Sequence, residues 1–398
     1  MKIQEFTKHS FDKVTLFVFI ISLIVFGGFA YFGIETDIPA HADVITGIAH
    51  NNLSLPPNFL YYVVIYLFSF FRTDTKSVYL ASIFVLAFSV TLKYIITKII
   101  IKHFLINKNL DLFYSLYSVL LTFIFSLPLI MLLGGNYYLG NIPPNVWHNS
   151  TVIFLMPFSL LLFWQSYQQI QDPRKNRNFL LLCLIILNII IKPSFFFVFS
   201  ISYPLFIIKI FGWKKQALLK LIPVFIGCFI LAIQYIAIYV YQIGSLQGGD
   251  STVKIRLFTI WSNYSPNIPI SLLGSLCFPL VCTLFYWKDI FKNLLVIYAS
   301  FQYLIAIIIF AVFVETGPRE FHANFVWQCI VSSYILYLVI SIFFIEKLEL
   351  NKMDKHISYA GSIMKMTLKN RLILITLLLH FISGIVYIVR IFVTKSYS

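Results

Sequence analysis

The chain has 398 residues, of which 60% are hydrophobic and only 11% charged, and its mean hydropathy is +0.87. A water-soluble fold of this length has too little interior to hide so much apolar surface, so composition excludes a soluble globular protein. The formal charge of +15 does not indicate nucleic acid, because the Lys and Arg residues sit in short loops between apolar runs, where they act as topology signals and contacts for anionic membrane lipids.

Repeated apolar runs of about 20 residues, each able to cross a hydrocarbon core about 30 Å thick, predict an all-α polytopic membrane protein built as one transmembrane domain over 1–398. The alternating strands of a membrane β-barrel are missing. The first run, Val14 to Phe32, is too long for the apolar region of a signal peptide. The later triplet Ala40-His41-Ala42 is therefore not read as a cleavage site, and the run is a retained anchor. It leads into Glu35-Thr36-Asp37-Ile38-Pro39-Ala40-His41-Ala42-Asp43, three carboxylates and a histidine in a stretch with no Lys or Arg between Lys13 and Arg72. Charges beside hydrocarbon are costly and tend to be kept for chemistry.

The next run, Phe59 to Phe71, follows Pro56-Pro57 and is short for a span. Tyr62, Tyr66 and Ser69 recur on one helical face, which predicts an amphipathic helix lying in the interface within an outer loop over 34–76. Further spans are predicted near 77–97, 111–133, 150–168, 178–192, 194–211, 217–241, 268–287, 293–314, 323–345 and 371–393. The five cysteines, Cys183, Cys228, Cys277, Cys282 and Cys329, fall in apolar runs without metal-ligand spacing and read as packing residues.

Charge arbitrates the topology. Counting 59–71 as a span would place Lys93, Lys98, Lys102 and Lys108 outside, whereas an interfacial helix returns them to the cytoplasm. Every later loop then agrees, and about 22 of the Lys and Arg residues fall inside. The expectation is about eleven spans in a plasma (inner) membrane, N-terminus cytoplasmic and C-terminus outside.

The outer face then gathers unusual side chains. Besides the acidic stretch it holds Asn145-Val146-Trp147-His148 after Pro143-Pro144, the turn Lys192-Pro193-Ser194, Lys254, Arg256 and Trp261, and Glu315 to His322 with Arg319, running on to Trp327. Lys192 closes an apolar helix, where it can only snorkel or meet an anion. Plainer readings accompany each feature. Asp37 suits a helix start, Asp37 and His41 are four apart and suit a structural pair, and Arg319 suits a local ion pair with Glu320.

An anchoring span, an outer Glu-x-Asp (Glu35-Thr36-Asp37), a short helix, the segment Pro56-Pro57-Asn58-Phe59-Leu60-Tyr61-Tyr62 and an interfacial helix before a span ending in cytoplasmic lysines resemble the start of the GT-C glycosyltransferases. The resemblance covers residues 1 to about 100. It implies a membrane enzyme of cell-envelope glycan biosynthesis that moves a sugar from a polyprenyl-phosphate donor to a hydroxyl on a glycan, lipid or protein acceptor, at the extracytoplasmic face.

On that reading Asp37 is the base, with Glu35 as alternative or as a metal or acceptor ligand. Lys192 and Arg319 stabilise the leaving phosphate. Trp147, Trp261 and Trp327 stack on sugars, and His41, His148, His322, Asn145, Lys254 and Arg256 contact substrate. A divalent cation, Mg or Mn, held by Glu35, Asp37 and a histidine is compatible but not required. No phosphate-loop or dinucleotide motif occurs, in keeping with a lipid-linked donor. Two other classes stay open: a polysaccharide polymerase or membrane acyltransferase using an outer-face histidine, and a secondary transporter, for which His380 is the obvious titratable group deep in a span.

Overall fold

The computed structural model describes residues 12–50, 52–105, 111–172, 174–241, 243, 252–317, 320–350 and 366–397. Among them, ten helical segments are long and apolar enough to cross a bilayer, and the fourteen-residue helix Asn178–Ile191 is apolar but shorter. The protein is an all-α multi-pass membrane protein. The chain runs α1 (Lys13–Tyr31), two short helices α2 (Asp37–Ala49) and α3 (Leu60–Phe68), α4 (Thr75–Phe104), α5 (Asp111–Phe123), α6 (Ser150–Gln171), α7 (Asn178–Ile191), α8 (Ser194–Phe211) and α9 (Lys215–Tyr239). It continues through α10 (Thr259–Tyr264), α11 (Ile268–Ile290), α12 (Leu294–Val312), α13 (Trp327–Leu350) and α14 (Leu368–Thr394). A ribbon of β1 (Val253–Ile255) antiparallel to β2 (Phe313–Glu315) pairs Lys254 with Val314.

Polar residues start the helices where the sequence leaves hydrocarbon. Asp12, Asp74, Asn149, Asn267 and Asn293 each accept a backbone N–H of the first turn. At one end of the bundle the charges pair locally: Lys98 with Asp12 at 2.6 Å, Lys102 with Asp111, and Lys347 with Asp289 at 2.7 Å. Burial pushes the Asp12 carboxyl up, but the bonds from Lys98 and Thr15 outweigh it and bring the group down to about 2. The apolar stretch of α13 is buried throughout and forms the centre, whereas α9 turns Phe225 and Phe229 outward, as a lipid-facing helix does.

Two departures from the sequence reading bear on the site. The run over 111–133 is not one helix: α5 stops at Phe123, residues 124–127 leave the helix with Leu127 extended, and Pro128–Leu133 forms a 3-10 turn. Extended backbone inside a membrane must find partners in protein. Here Phe125 N donates to His380 O, Leu127 N to Gly274 O, and Asn145 Nδ2 to the carbonyls of Leu121 and Ile124. Gly384 admits this crossing, because a Cβ there would stand 1.6 Å from Phe123 O.

The second departure is Lys93. Lys93, Lys98 and Lys102 all lie on α4, which continues unbroken to Phe104; Lys98 and Lys102 meet carboxylates near its end, whereas Lys93 is carried inside the bundle. Its ammonium donates to Asn145 Oδ1 at 2.5 Å and lies 4.8 Å from the centre of the Tyr334 ring. An intramembrane cation is tolerated when so held.

The helix predicted over 59–71 is present as α3. It buries Tyr61, Tyr62 and Ile65 and leaves Leu67, Phe68, Phe70 and Phe71 exposed. Its hydroxyl stripe faces protein, with Ser69 Oγ bonded to the carbonyls of Tyr66 and Arg72.

Candidate functional site

The site is assembled at the start of α2. Thr36 is its N-cap, with its hydroxyl accepting from Ile38 N, and Asp37 is the first helical residue. Asp37 N donates to His148 O at 3.1 Å, so the beginning of α2 is tied to the segment leading into α6. The carboxylate meets the next residue of that segment: Asn149 Nδ2 donates to Asp37 Oδ2 at 2.6 Å. Asn149 is also the cap of α6, its Oδ1 accepting from Val152 N and from the Thr151 hydroxyl, both at 3.0 Å.

Lys192 arrives from the end of α7. The following proline stops the helix, and Lys192 has extended backbone, directing its side chain back toward the start of α6. Its Nζ donates to Thr151 Oγ1 at 3.1 Å and stands 4.8 Å from the centre of the Trp327 ring. It acts on Asp37 through space, since its hydrogen bond goes to Thr151.

Burial dominates the electrostatics. Desolvation raises the Asp37 carboxyl to about 6, although the Lys192 charge opposes the rise. Desolvation lowers Lys192 to about 8, with Asp37 pulling the other way. His41 and His148 are lowered to about 3 by burial and then by Lys192, so both imidazoles are neutral at neutral pH. A carboxylate able to take a proton near neutrality thus sits beside a desolvated cation and two neutral imidazoles.

Aromatic rings wall the site. His148 stacks on Tyr397 with centroids 3.9 Å apart and planes 7° apart, and meets Tyr138 edge-on at 4.6 Å. His41 lies 5.3 Å from both Tyr61 and Tyr62. The segment that delivers Tyr397 bends at Lys395, whose φ is +54°, and is held by Glu35 N donating to Lys395 O and by the Tyr387 hydroxyl donating to Tyr397 O. His41 Nε2, His148 Nδ1, Tyr138 Oη and Trp327 Nε1 are buried with no protein hydrogen-bond partner, four polar atoms that a ligand would satisfy.

Of the residues singled out from sequence, Asp37, His41, His148, Lys192 and Trp327 come together here. Glu35 is exposed at the rim, close enough to Tyr397 to act on its phenol. Asn145 and Trp147 do not line the site. Asn145 is 1% exposed and caps the broken helix α5, while Trp147, 2% exposed, stacks on Phe123 and contacts Phe26. Both dip inward because the loop they sit on fills the gap left where α5 stops. Trp261 is likewise interior, against Phe310.

Lys254 is exposed on the ribbon, Arg256 is paired with Glu320 at 2.8 Å, and His322 is exposed on the turn that follows. Among the described residues, none of their hydrogen bonds or ion pairs reaches Asp37. Arg319 lies outside the described residues.

Nor does the donor set suit a divalent cation. Glu35 points to the rim, Asp37 is taken by an amide and faced by an ammonium, and among the described residues no group of three His, Cys, Asp or Glu could hold a metal ion.

Sequence reasoning missed Asn149, Thr151, Tyr138 and Tyr397 as parts of the site. Asn149 was findable, because Asn-Ser-Thr before an apolar run is a helix-start signature that fixes its position beside His148. Nothing local marks Tyr397, which reaches His148 only through tertiary folding. No protein-family model matches this chain, and no curated protein matches it.

Proposed function

We propose that the protein is an integral-membrane glycosyltransferase of the GT-C kind, transferring a sugar from a polyprenyl-phosphate donor to a hydroxyl of a glycan, lipid or protein acceptor. The single observation that carries the reading is the placing of a half-buried, proton-hungry Asp37 beside a half-buried Lys192, linked through Asn149 and Thr151, where the apolar helices end. The excess of Lys and Arg in the loops assigned to the opposite side supports an extracytoplasmic site in an inner membrane.

In the proposed reaction the acceptor oxygen attacks the anomeric carbon as Asp37 takes its proton. The bond from that carbon to the phosphate oxygen breaks, and its electron pair leaves with the lipid phosphate. Lys192 lies beside the charge that then accumulates, and a desolvated ammonium acts strongly on it. An acid whose proton affinity lies near the working pH is an efficient base, and burial supplies that here. The neutral imidazoles of His41 and His148 offer hydrogen bonds to sugar hydroxyls without adding charge, and Trp327 offers a ring face.

The alternatives fit less well. A histidine-based acyltransferase needs an imidazole activated by a carboxylate, but Asp37 holds an amide and both site imidazoles resist protonation. For a transporter, Lys93 is a second intramembrane ionisable group, yet it and His380 are occupied in bracing the broken helix. His380 bonds Phe125 O at 2.7 Å and Lys93 holds Asn145.

The test is mass analysis of polyprenyl-phosphate sugars and surface glycans in cells making the wild type or Asp37→Asn. The variant should accumulate one lipid-linked sugar and lose the matching glycan signal. Unchanged profiles for folded Asp37→Asn would refute the assignment.

A further inference from the structure

Four side chains of the site form one directed hydrogen-bond chain. Lys192 Nζ donates to Thr151 Oγ1 at 3.1 Å, the Thr151 hydroxyl donates to Asn149 Oδ1 at 3.0 Å, and Asn149 Nδ2 donates to Asp37 Oδ2 at 2.6 Å. Each bond points from the cation toward the carboxylate, so each polarises the next in the same sense. The chain hangs on the first turn of α6, where Asn149 Oδ1 also accepts from Val152 N. Thr151 is 3% exposed and Asn149 is 6% exposed, so neither bond competes freely with water.

We propose that Thr151 is a positioning residue: with Asn149 it couples Lys192 to Asp37 and fixes the separation between the cation and the base. This rests on the reading of those two residues given above. Lysine has a long, flexible stem and makes a poor fixed charge unless something holds its head. Here the holders are the Thr151 hydroxyl and the Trp327 ring face, and the hydroxyl alone has a direction.

Asp37 from α2 acts on Lys192, which in turn acts on His41 from α2 and on His148 from the segment before α6. Lys192 acts on Asp37, which in turn acts on the phenols of Tyr61, Tyr138 and Tyr397. The phenols and imidazoles are neutral near pH 7, so any coupling there runs between Lys192 and Asp37. Glycine or alanine at 151 would open space, but valine keeps the volume and removes only the hydroxyl, while the bond from Val152 N still caps the helix.

The experiment is competitive acetylation of the full-length protein with acetic anhydride across a pH series. Mass spectrometry reads the Lys192 amine in wild type, Thr151→Val, Thr151→Ser, and each of these combined with Asp37→Asn. In wild type and Thr151→Ser, Asp37→Asn should lower the pH midpoint of Lys192 labelling, because the amine loses its anion. In Thr151→Val that displacement should fall below half, and Lys192 should label at least threefold faster at high pH.

An equal displacement in both backgrounds, or Thr151→Val labelling identical to wild type, overturns the proposal. Lipid-linked sugar consumption measured on the same preparations separates the two claims. Coupling without any sugar transfer keeps the positioning role and removes the glycosyltransferase reading. Transfer that depends on Asp37 without coupling does the reverse. Thermal unfolding of Thr151→Val confirms that the fold is retained in either case.

Discussion

Asp37 should cost the protein stability, and replacing it with asparagine should give that stability back in a pH-dependent way. Its carboxyl ordinarily titrates at 3.8 and is held at about 6 by burial in the folded chain. A folded-state value above the unfolded one contributes stability that is fully present below 3.8 and is lost as pH rises through about 6. The displacement corresponds to a ceiling of about 3 kcal/mol at pH 8. Asp37→Asn removes the half-buried charge while its Oδ1 still accepts from Asn149 Nδ2, but partial exposure and the new amide N–H, which must find a partner, bring the expected gain to about 1–2 kcal/mol.

For a chain of this size that is an increase of about 1–3 °C in the apparent unfolding temperature. The assay is intrinsic-fluorescence melting of the detergent-solubilised wild type and variant at pH 8 and pH 4, at one scan rate because such unfolding is often irreversible. The gain should appear at pH 8 and shrink toward zero at pH 4. A variant less stable than wild type at pH 8 would refute the reasoning, as would a gain unchanged at pH 4. The first result would mean that attraction to Lys192 and Asn149 outweighs desolvation, and the second that the gain does not come from the carboxylate charge.

Other substitutions test the remaining contacts. Gly384→Ala drives a methyl into the Phe123 carbonyl, 1.6 Å away, and should cost about 3 kcal/mol or more, read as a fall in monodisperse yield and melting temperature. A variant as stable as wild type would show that α14 and the end of α5 do not cross as described. Tyr397→Ala uncovers one face of His148, so diethyl pyrocarbonate should modify that imidazole several-fold faster at pH 7; unchanged reactivity would mean the stacking does not shield it. Asn145→Leu leaves the Lys93 ammonium and two carbonyls without their partner and should destabilise by about 3 kcal/mol, whereas Asn145→Leu combined with Lys93→Met should recover the part due to Lys93 and leave the part due to the carbonyls. Equal losses in the single and double variants would count against a held intramembrane cation.

The membrane class, most of the helical spans to within a few residues and the two short helices after the first span were legible in the sequence; the exceptions are the span predicted at 77–97, which runs on to Phe104, and the run at 111–133, whose helix stops at Phe123. The legible features follow from local physics: apolar runs longer than a bilayer core, Asp and Asn at helix starts, and a proline after Lys192. The acidic stretch and the lone lysine closing α7 also stood out, because charge beside hydrocarbon needs a reason.

What tertiary structure alone decided was which of these residues meet. Asn145 and Trp147 sit three and one residues before His148 yet turn into the interior, because α5 stops at Phe123 and its free carbonyls need a donor. Lys93 has the composition of a loop anchor but is carried inward by a helix that does not end where hydropathy falls. Asp37 and Lys192 lie 155 positions apart in sequence and are joined by Asn149 and Thr151, a connection that no spacing rule encodes. Local propensity can place a carboxylate at a helix start, but its proton affinity depends on how much water the packed neighbours exclude and on which cation they bring.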